Sequence, residues 1–335
     1  MDNYIPTDED ISEIFAGIHF NKIDDKHPDV IDVIYEDKHL KVKDGVNIDI
    51  FIDMRCTGNC PFCINKAKEI VLKGKFNKRT DKIISTEEFI QKFDNLYDIL
   101  NEKMFVKPFI NITGGEPTIS PRFIPFIQHL LKKKIKFDMI SNATNLSNDV
   151  LNAMKYNCNM INLSRAHYDD SKNQQLMNLS KKSYNKDIKI ANNYIKNNFI
   201  QNKIASISCI LMKNGIHTVE DIKKYIETYS YLNPQVIMFR QVEDISFYTQ
   251  NKEEIQQILW KIDWIKDDLL KDIDFKLISY DKFDKGAEVF TFKYKNNNFD
   301  TIFIARPDQY VLRDGINNTD IIKRIMFLPN GNIII

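Results

Sequence analysis

The stretch Val46-Asn47-Ile48-Asp49-Ile50-Phe51-Ile52-Asp53, followed directly by Met54-Arg55-Cys56-Thr57-Gly58-Asn59-Cys60-Pro61-Phe62-Cys63, decides the fold. Its first half alternates, with Val46, Ile48, Ile50 and Ile52 on one face, and reads as a β-strand. Its second half places three of the chain's 5 cysteines within one short loop, spaced x3 and then x2. Thiolates at such spacing are typical ligands of an iron–sulfur cluster or of zinc. A closed zinc site wants four ligands, and no fourth Cys or His stands at knuckle spacing. The cysteines are too few, and the chain too long, for a disulfide framework.

Outward from this stretch the pattern repeats. Ser85-Thr86-Glu87-Glu88 has the form of a capping box and opens a helix through Phe89, Phe93, Leu96 and Leu100. Phe109–Thr113 is a short strand ending in Gly114-Gly115-Glu116-Pro117, and Ser120-Pro121 provides an N-cap and a first-turn proline. Lys136–Ile140 is a strand, 141–145 the loop beyond it, and Ser147 the cap of a helix through Val150, Leu151 and Met154. Met160–Leu163 runs into Ser164-Arg165-Ala166-His167-Tyr168-Asp169-Asp170, with a helix carrying Ile188, Ile190, Tyr194 and Ile195 beyond. Ser206–Met212, a helix capped at Thr218, and Val236–Val242 complete about six strand-then-helix units. Such alternation implies an α/β fold, a parallel sheet with right-handed crossovers curled into a partial (β/α)6 barrel of TIM type.

The ends differ in character. Residues 1–45 form an N-terminal arm with a helix start at Thr7. Residues 46–245 make the barrel, and 246–335 a C-terminal helix with an antiparallel β cap. That cap holds a helix through Ile255, Leu259, Ile262 and Ile265, strands at Val289–Tyr294 and Thr301–Ile304, and a hairpin turned at Asn330-Gly331.

The 335 residues suffice for a real core, and 47 Lys plus Arg against 46 Asp plus Glu leave a net charge of +1, with no electrostatic footprint for nucleic acid. No apolar run approaches the ~18 residues that span a bilayer, so the expectation is a cytoplasmic protein with no membrane partner.

Cys56-x3-Cys60-x2-Cys63, with Phe62 before the last cysteine, resembles the cluster loop of the radical S-adenosylmethionine (radical SAM) superfamily, on a core like that of the molybdopterin-precursor synthases. The resemblance covers residues 46–245. It implies that Cys56, Cys60 and Cys63 ligate one [4Fe-4S] cluster whose open iron binds SAM, and that a 5′-deoxyadenosyl radical then takes hydrogen from substrate. It also implies a flavodoxin- or ferredoxin-type electron donor. Gly114, Gly115 and Glu116 resemble the Gly-Gly-Glu motif holding the methionine amine.

In parallel barrels the loops at strand C-termini carry function. That rule adds Ser141 and Asn142 for ribose hydroxyls, Ser164, and Arg165 for the SAM carboxylate through its planar fork. Ser208 should face the lumen while Cys209 packs beneath a helix. Phe62 completes the cofactor set. Candidates for substrate chemistry are His167 for proton transfer, Tyr168, Asp169 as a polar clamp, and Arg240. No cysteine follows Cys209, so the auxiliary-cluster extension of many peptide-modifying relatives is absent, which favours a small metabolite or nucleotide-like substrate. A ribosomally made peptide, and a non-catalytic iron–sulfur or zinc binding module, are the alternatives. Cys158 and Cys209 are read as apolar filler or as hydrogen-atom donors.

Overall fold

The computed structural model describes residues 30–35, 38–63, 83–199, 206–242, 252–261, 265–282, 288–295, 301–306 and 321–334. The helix start expected at Thr7 lies outside them. In chain order the elements are β1 (Val30–Tyr35), β2 (Lys38–Phe51), α1 (Thr86–Asp98), β3 (Phe109–Thr113), α2 (Phe123–Lys132), β4 (Phe137–Ser141), α3 (Asn148–Met154), β5 (Cys158–Ser164), α4 (Asp170–Leu176), α5 (Asn185–Asn198), β6 (Ser206–Leu211), α6 (Val219–Tyr229), β7 (Val236–Gln241), α7 (Lys252–Ile258), α8 (Lys266–Lys271), β8 (Phe275–Lys282), β9 (Glu288–Tyr294), β10 (Thr301–Arg306), β11 (Ile321–Phe327) and β12 (Ile333–Ile334).

The strands form one sheet ordered β12-β11-β2-β3-β4-β5-β6-β7-β10-β9-β8, with β1 antiparallel on the first half of β2. β2 through β7 lie parallel in sequence order, as right-handed strand–helix–strand units demand. The sheet is open, a partial barrel.

Two features depart from the expected outline. The tail does contain antiparallel pairs, β8–β9, β9–β10 and β11–β12. Yet β10 joins β7 and β11 joins β2 in parallel, so the tail extends both edges of the core sheet. Helix α4 was not foreseen, because its sequence, Asp-Ser-Lys-Asn-Gln-Gln-Leu, has almost no apolar periodicity to read.

One face of the sheet is apolar and carries the helices. Ile48, Ile50, Ile112, Phe137, Met139, Ile161, Leu163, Ile207, Cys209 and Phe239 pack against Phe89, Phe93, Phe126, Ile127, Leu151, Ile195 and Tyr225 in one continuous core. Edge-to-face contacts of Phe89 and Phe93 with Phe126 and Phe327 centre its first half. Local chemistry sets the helix starts: Ser85 accepts from the Glu88 amide, Ser147 from Val150, and Thr218 and Asp221 form a reciprocal capping box. Pro117–Ile119 make a 3-10 turn and α2 begins at Phe123, two residues later than expected; Ser120 stands at this entry, its hydroxyl accepting from the Arg122 amide at 3.4 Å and donating to Asp53 at 3.1 Å. On α5, Ile188 and Ile195 are buried as expected, while Ile190 is 65% exposed.

Candidate active site

The cysteine loop leaves the C-terminal end of β2 and is shaped before any cysteine is reached. Asp53 caps the turn, accepting from the Arg55 amide at 2.9 Å and from the Arg55 guanidinium and the Ser120 hydroxyl. Burial alone would raise its carboxyl, but these bonds hold it below the usual carboxylate range. The loop after β3 then runs alongside: Gly115 N donates to Asp53 O and Glu116 N to Arg55 O, both at 2.9 Å. This approach requires the two glycines. A Cβ on Gly115 would stand 2.0 Å from Arg55 O, and Gly114, at φ +123°, would place one 2.5 Å from Asp53 O. Besides any ligand, the missing side chains of Gly114 and Gly115 admit the backbone of the cysteine loop.

The far side of the loop is held by the segment after α4. Gly58 bridges Leu179, Asn59 N donates to Met177 O and Asn178 O, and Ser180 donates twice to Thr57 O. The Cys60 thiol points at Met177 O, 3.2 Å away. Cys60 and Phe62 pack on an apolar cluster of Leu176, Met177, Leu179, Ile210 and Ile258, so helices α4 and α7 and strand β6 wall one side.

Glu116, fully buried, binds these loops together. Its carboxylate accepts from the Thr118 hydroxyl at 2.6 Å, the Ser141 hydroxyl at 2.9 Å and the Asn142 amide at 2.7 Å. Burial pushes its pKa up. Asn142 in turn donates to Thr57 Oγ1 at 3.0 Å and approaches Cys56 Sγ at 3.7 Å, and Thr144 reaches Thr57 through a 2.7 Å hydroxyl pair. Glu116, Ser141 and Asn142 therefore brace the cysteine loop against β3 and β4.

Arg165 is 1% exposed, and all of its N–H groups are taken: by Tyr229 Oη, by Ser183 O and Oγ, by Asp170 Oδ1 and by Asn185 Oδ1. The expected grip on a carboxylate has no donor left to make it. Arg165 is a buried strut between β5, α4, α5 and α6.

The sequence profile described as the radical SAM superfamily matches residues 52–232. The chain belongs to the radical SAM superfamily. The solved structure of Streptococcus suis SuiB bound to precursor peptide SuiA is similar, with a TM-score of 0.54 and 13% identity over 88% of this chain and 60% of that one. SuiB bound to S-adenosylmethionine gives 0.53 at 13% identity with the same coverage, 88% and 60%. At that identity the likeness is one of fold, and the chain spans about 60% of the SuiB length. No curated protein matches the chain.

The superfamily's cofactors are a [4Fe-4S] cluster and SAM, and the radical SAM loop here fits them. All five cysteines are free, Cys56 is exposed, and Cys60 and Cys63 are half-buried. Among the described residues no three His, Cys, Asp or Glu groups converge as ligands of a single ion. In a cluster each thiolate takes a different iron, and three separated thiols on one loop suit that arrangement.

The remaining candidates divide between two sides of the sheet. Ser164 and Ser208 are half-buried register partners on the face that carries Ile210 toward Cys60 and Phe62. Arg240, opposite Ile210, shares that face. The stretch 167–170 turns toward the helices. Tyr225 and Tyr229 donate to Arg165 O and His167 O from α6, His167 Nδ1 accepts from the Asp169 amide, and the Tyr168 ring lies under Lys224. Burial holds the His167 pKa down. Asp169 is the N-cap of α4, and Asp170 pairs with Arg165. Chemically loaded in sequence, the stretch forms a corner whose described contacts run to α4, α5 and α6. Cys158 and Cys209 are buried, their thiols pushed up by burial.

Sequence reading missed Asp53, Thr57, Thr144 and the 177–180 segment. Thr144 was legible within the polar loop after β4. Met177–Ser180 act through backbone groups and carry no motif.

Proposed function

We propose that this protein is a radical SAM enzyme acting on a small metabolite or nucleotide-like substrate. When bound, the cluster supplies the electron that splits SAM into methionine and the 5′-deoxyadenosyl radical, which takes hydrogen from substrate. Cys56, Cys60 and Cys63 supply the three thiolates, and Asn142, near Cys56, lends an N–H to the first. Asp53, Gly114, Gly115 and Glu116 fix the loop so that it offers the thiolates in one arrangement. Ser164 and Ser208, side by side beneath it, offer hydroxyls to SAM, with Arg240 as the cation for a carboxylate. Phe62 and Ile210 form an apolar wall that keeps water from the reacting groups. A flavodoxin- or ferredoxin-type protein delivers the electron.

The observation carrying this reading is the convergence at one end of the sheet of the cysteine loop, the Gly-Gly loop that abuts it and the two inward serines. The small-substrate reading is supported by residues 210–335, which hold no cysteine for a second cluster. A ribosomally made peptide is the second reading, favoured by the likeness of fold to SuiB, whose structure holds precursor peptide SuiA.

Anaerobic reconstitution with iron and sulfide, followed by a reductant and SAM, is expected to yield 5′-deoxyadenosine. A Cys60→Ala protein that still formed it would overturn the assignment. Zinc in place of iron and sulfide after native purification would point to the binding-module alternative.

A further inference from the structure

Below the cysteine loop the inner face of the sheet is polar, and register fixes its neighbours. Asp49 on β2 accepts from Asn111 on β3 at 2.9 Å and pairs with Arg324 on β11 at 3.2 Å. Asn111 stands beside Asp138 on β4. Two residues further along, Ile140 stands beside Asn162 on β5, and Asn162 beside Ser206 on β6. The first part of this belt is self-satisfied, and the second is not. Among the described residues Asp138 has no hydrogen bond or ion pair, and Asn162 Oδ1 and Ser206 Oγ are buried without a partner. Ser206 is 1% exposed, so bulk water does not serve it. Three oxygens that accept hydrogen bonds thus share the inner face, Asn162 and Ser206 at one level and the Asp138 carboxylate, beside Met160, two residues below it.

Depth and lining add a second constraint. Asn142, which touches the cysteine loop, lies four residues beyond Asp138, and Ile210, which packs on the same apolar cluster as Cys60 and Phe62, lies four beyond Ser206. At ~3.3 Å per residue Asp138 lies about 13 Å below Asn142 along β4, and Ser206 about 13 Å below Ile210 along β6. On the same face Met160 stands beside Asp138 and Ile140 beside Asn162, Ser208 and Met238 follow one step above Ser206, and Ile210 and Arg240 one step above those.

We propose that Asp138, Asn162 and Ser206 form the floor of the substrate site, taking an amine or similar cationic N–H donor at the end of an aliphatic stem that passes Ile140, Met160 and Ile210. The inference rests on the reading of the upper site as a SAM site and names the substrate chemistry it serves. An ammonium donates to the Asp138 carboxylate and neutralises it, with Asn162 and Ser206 one step nearer the loop as further acceptors, whereas an anion meets an uncompensated charge. Other titratable groups near the floor are the Asp49–Arg324 pair, Arg240 at the upper level, and Cys158, whose thiol burial keeps neutral. Such a floor leaves the carbon next to the stem's far end nearest the cysteine loop.

The test uses the reconstituted holoenzyme with n-butylammonium as probe and n-butanol as its neutral control, followed by ligand-observed NMR at pH 8. The wild type is expected to bind the ammonium at least tenfold more tightly than the alcohol. Asp138→Asn should remove that preference and Ser206→Ala should weaken it about threefold. 5′-Deoxyadenosine formation without probe is measured alongside and should persist in both. Equal affinity for the two probes, or an Asp138→Asn protein that retains the preference, overturns the floor while leaving SAM cleavage intact. Should Asp138→Asn not fold, an unchanged preference in both Ser206→Ala and Asn162→Ala overturns it equally. Loss of 5′-deoxyadenosine in the wild type would instead strike the SAM reading.

Discussion

At Gly115, a missing methyl group decides whether the cysteine loop can lie where it does. A Cβ there meets the Arg55 carbonyl, which belongs to the backbone and cannot rotate away. Gly115→Ala is expected to cost about 3 kcal/mol, at the upper end of overpacking, and to lower iron content after reconstitution, read by denaturant unfolding and iron analysis. Arg165 makes the opposite kind of prediction. Leaving its partners unpaired should cost about 3–5 kcal/mol, so Arg165→Met is expected to unfold at much lower denaturant. Arg165→Lys, where it folds, should bind SAM within twofold of wild type, because the side chain does not reach the inner face. Asp138 adds a pH dependence. Its carboxyl is pushed up to about 7 by burial, from 3.8. The native state therefore holds this proton more tightly than the unfolded chain does. Stability from this group is full below pH 4 and declines as pH rises through 7, by on the order of 4 kcal/mol before solvent screening. Denaturant midpoints between pH 5 and 8 should show the decline, and Asp138→Asn should flatten it. These three residues differ in legibility. Gly115 was marked by its motif, Arg165 was marked for a role for which its saturated N–H groups leave no donor, and Asp138 looked like any strand polar residue until register set it on the same face as the unpartnered oxygens of Asn162 and Ser206.

At the scale of elements, helix starts and strand faces were open to local reading because their physics is local. Ser85, Ser147 and Thr218 cap the helices that their sequences announce. Removing the Thr218 and Asp221 exchange with Thr218→Ala is expected to cost about 1 kcal/mol, measurable as a shift in denaturant midpoint without loss of SAM cleavage. Alternation on β6 assigned Cys209 to the helix side and Ser208 to the lumen, and both lie there. Helix α4 escaped because nothing periodic marks it: Asp169 caps it, Asp170 anchors it, and it delivers Met177–Ser180 to the cysteine loop through main-chain bonds. A segment that acts through its backbone leaves no side-chain signature.

For the whole molecule, the parallel order of β2 to β7 follows from the alternation of strands and helices, while the closing pieces do not. Arg122 illustrates the difference. Buried on α2's threshold, it donates to Ile52 O, Ile84 O and Pro329 O and lies 4.5 Å over the Phe89 ring, pinning the β11–β12 turn to the end of β2. Among the described residues no helix is long and apolar enough to cross a membrane. The sequence by itself determined the parallel core, the cysteine loop and its Gly-Gly neighbour, because strand periodicity, capping and thiol spacing are short-range properties written in consecutive residues. Only the tertiary structure decided that β10 and β11 extend the sheet at both edges, that Arg165 is a strut, and that Asp138, Asn162 and Ser206 share a face beneath the loop. Those outcomes depend on which strands lie side by side and on what burial leaves unpaired, and neither is encoded within any one stretch of chain.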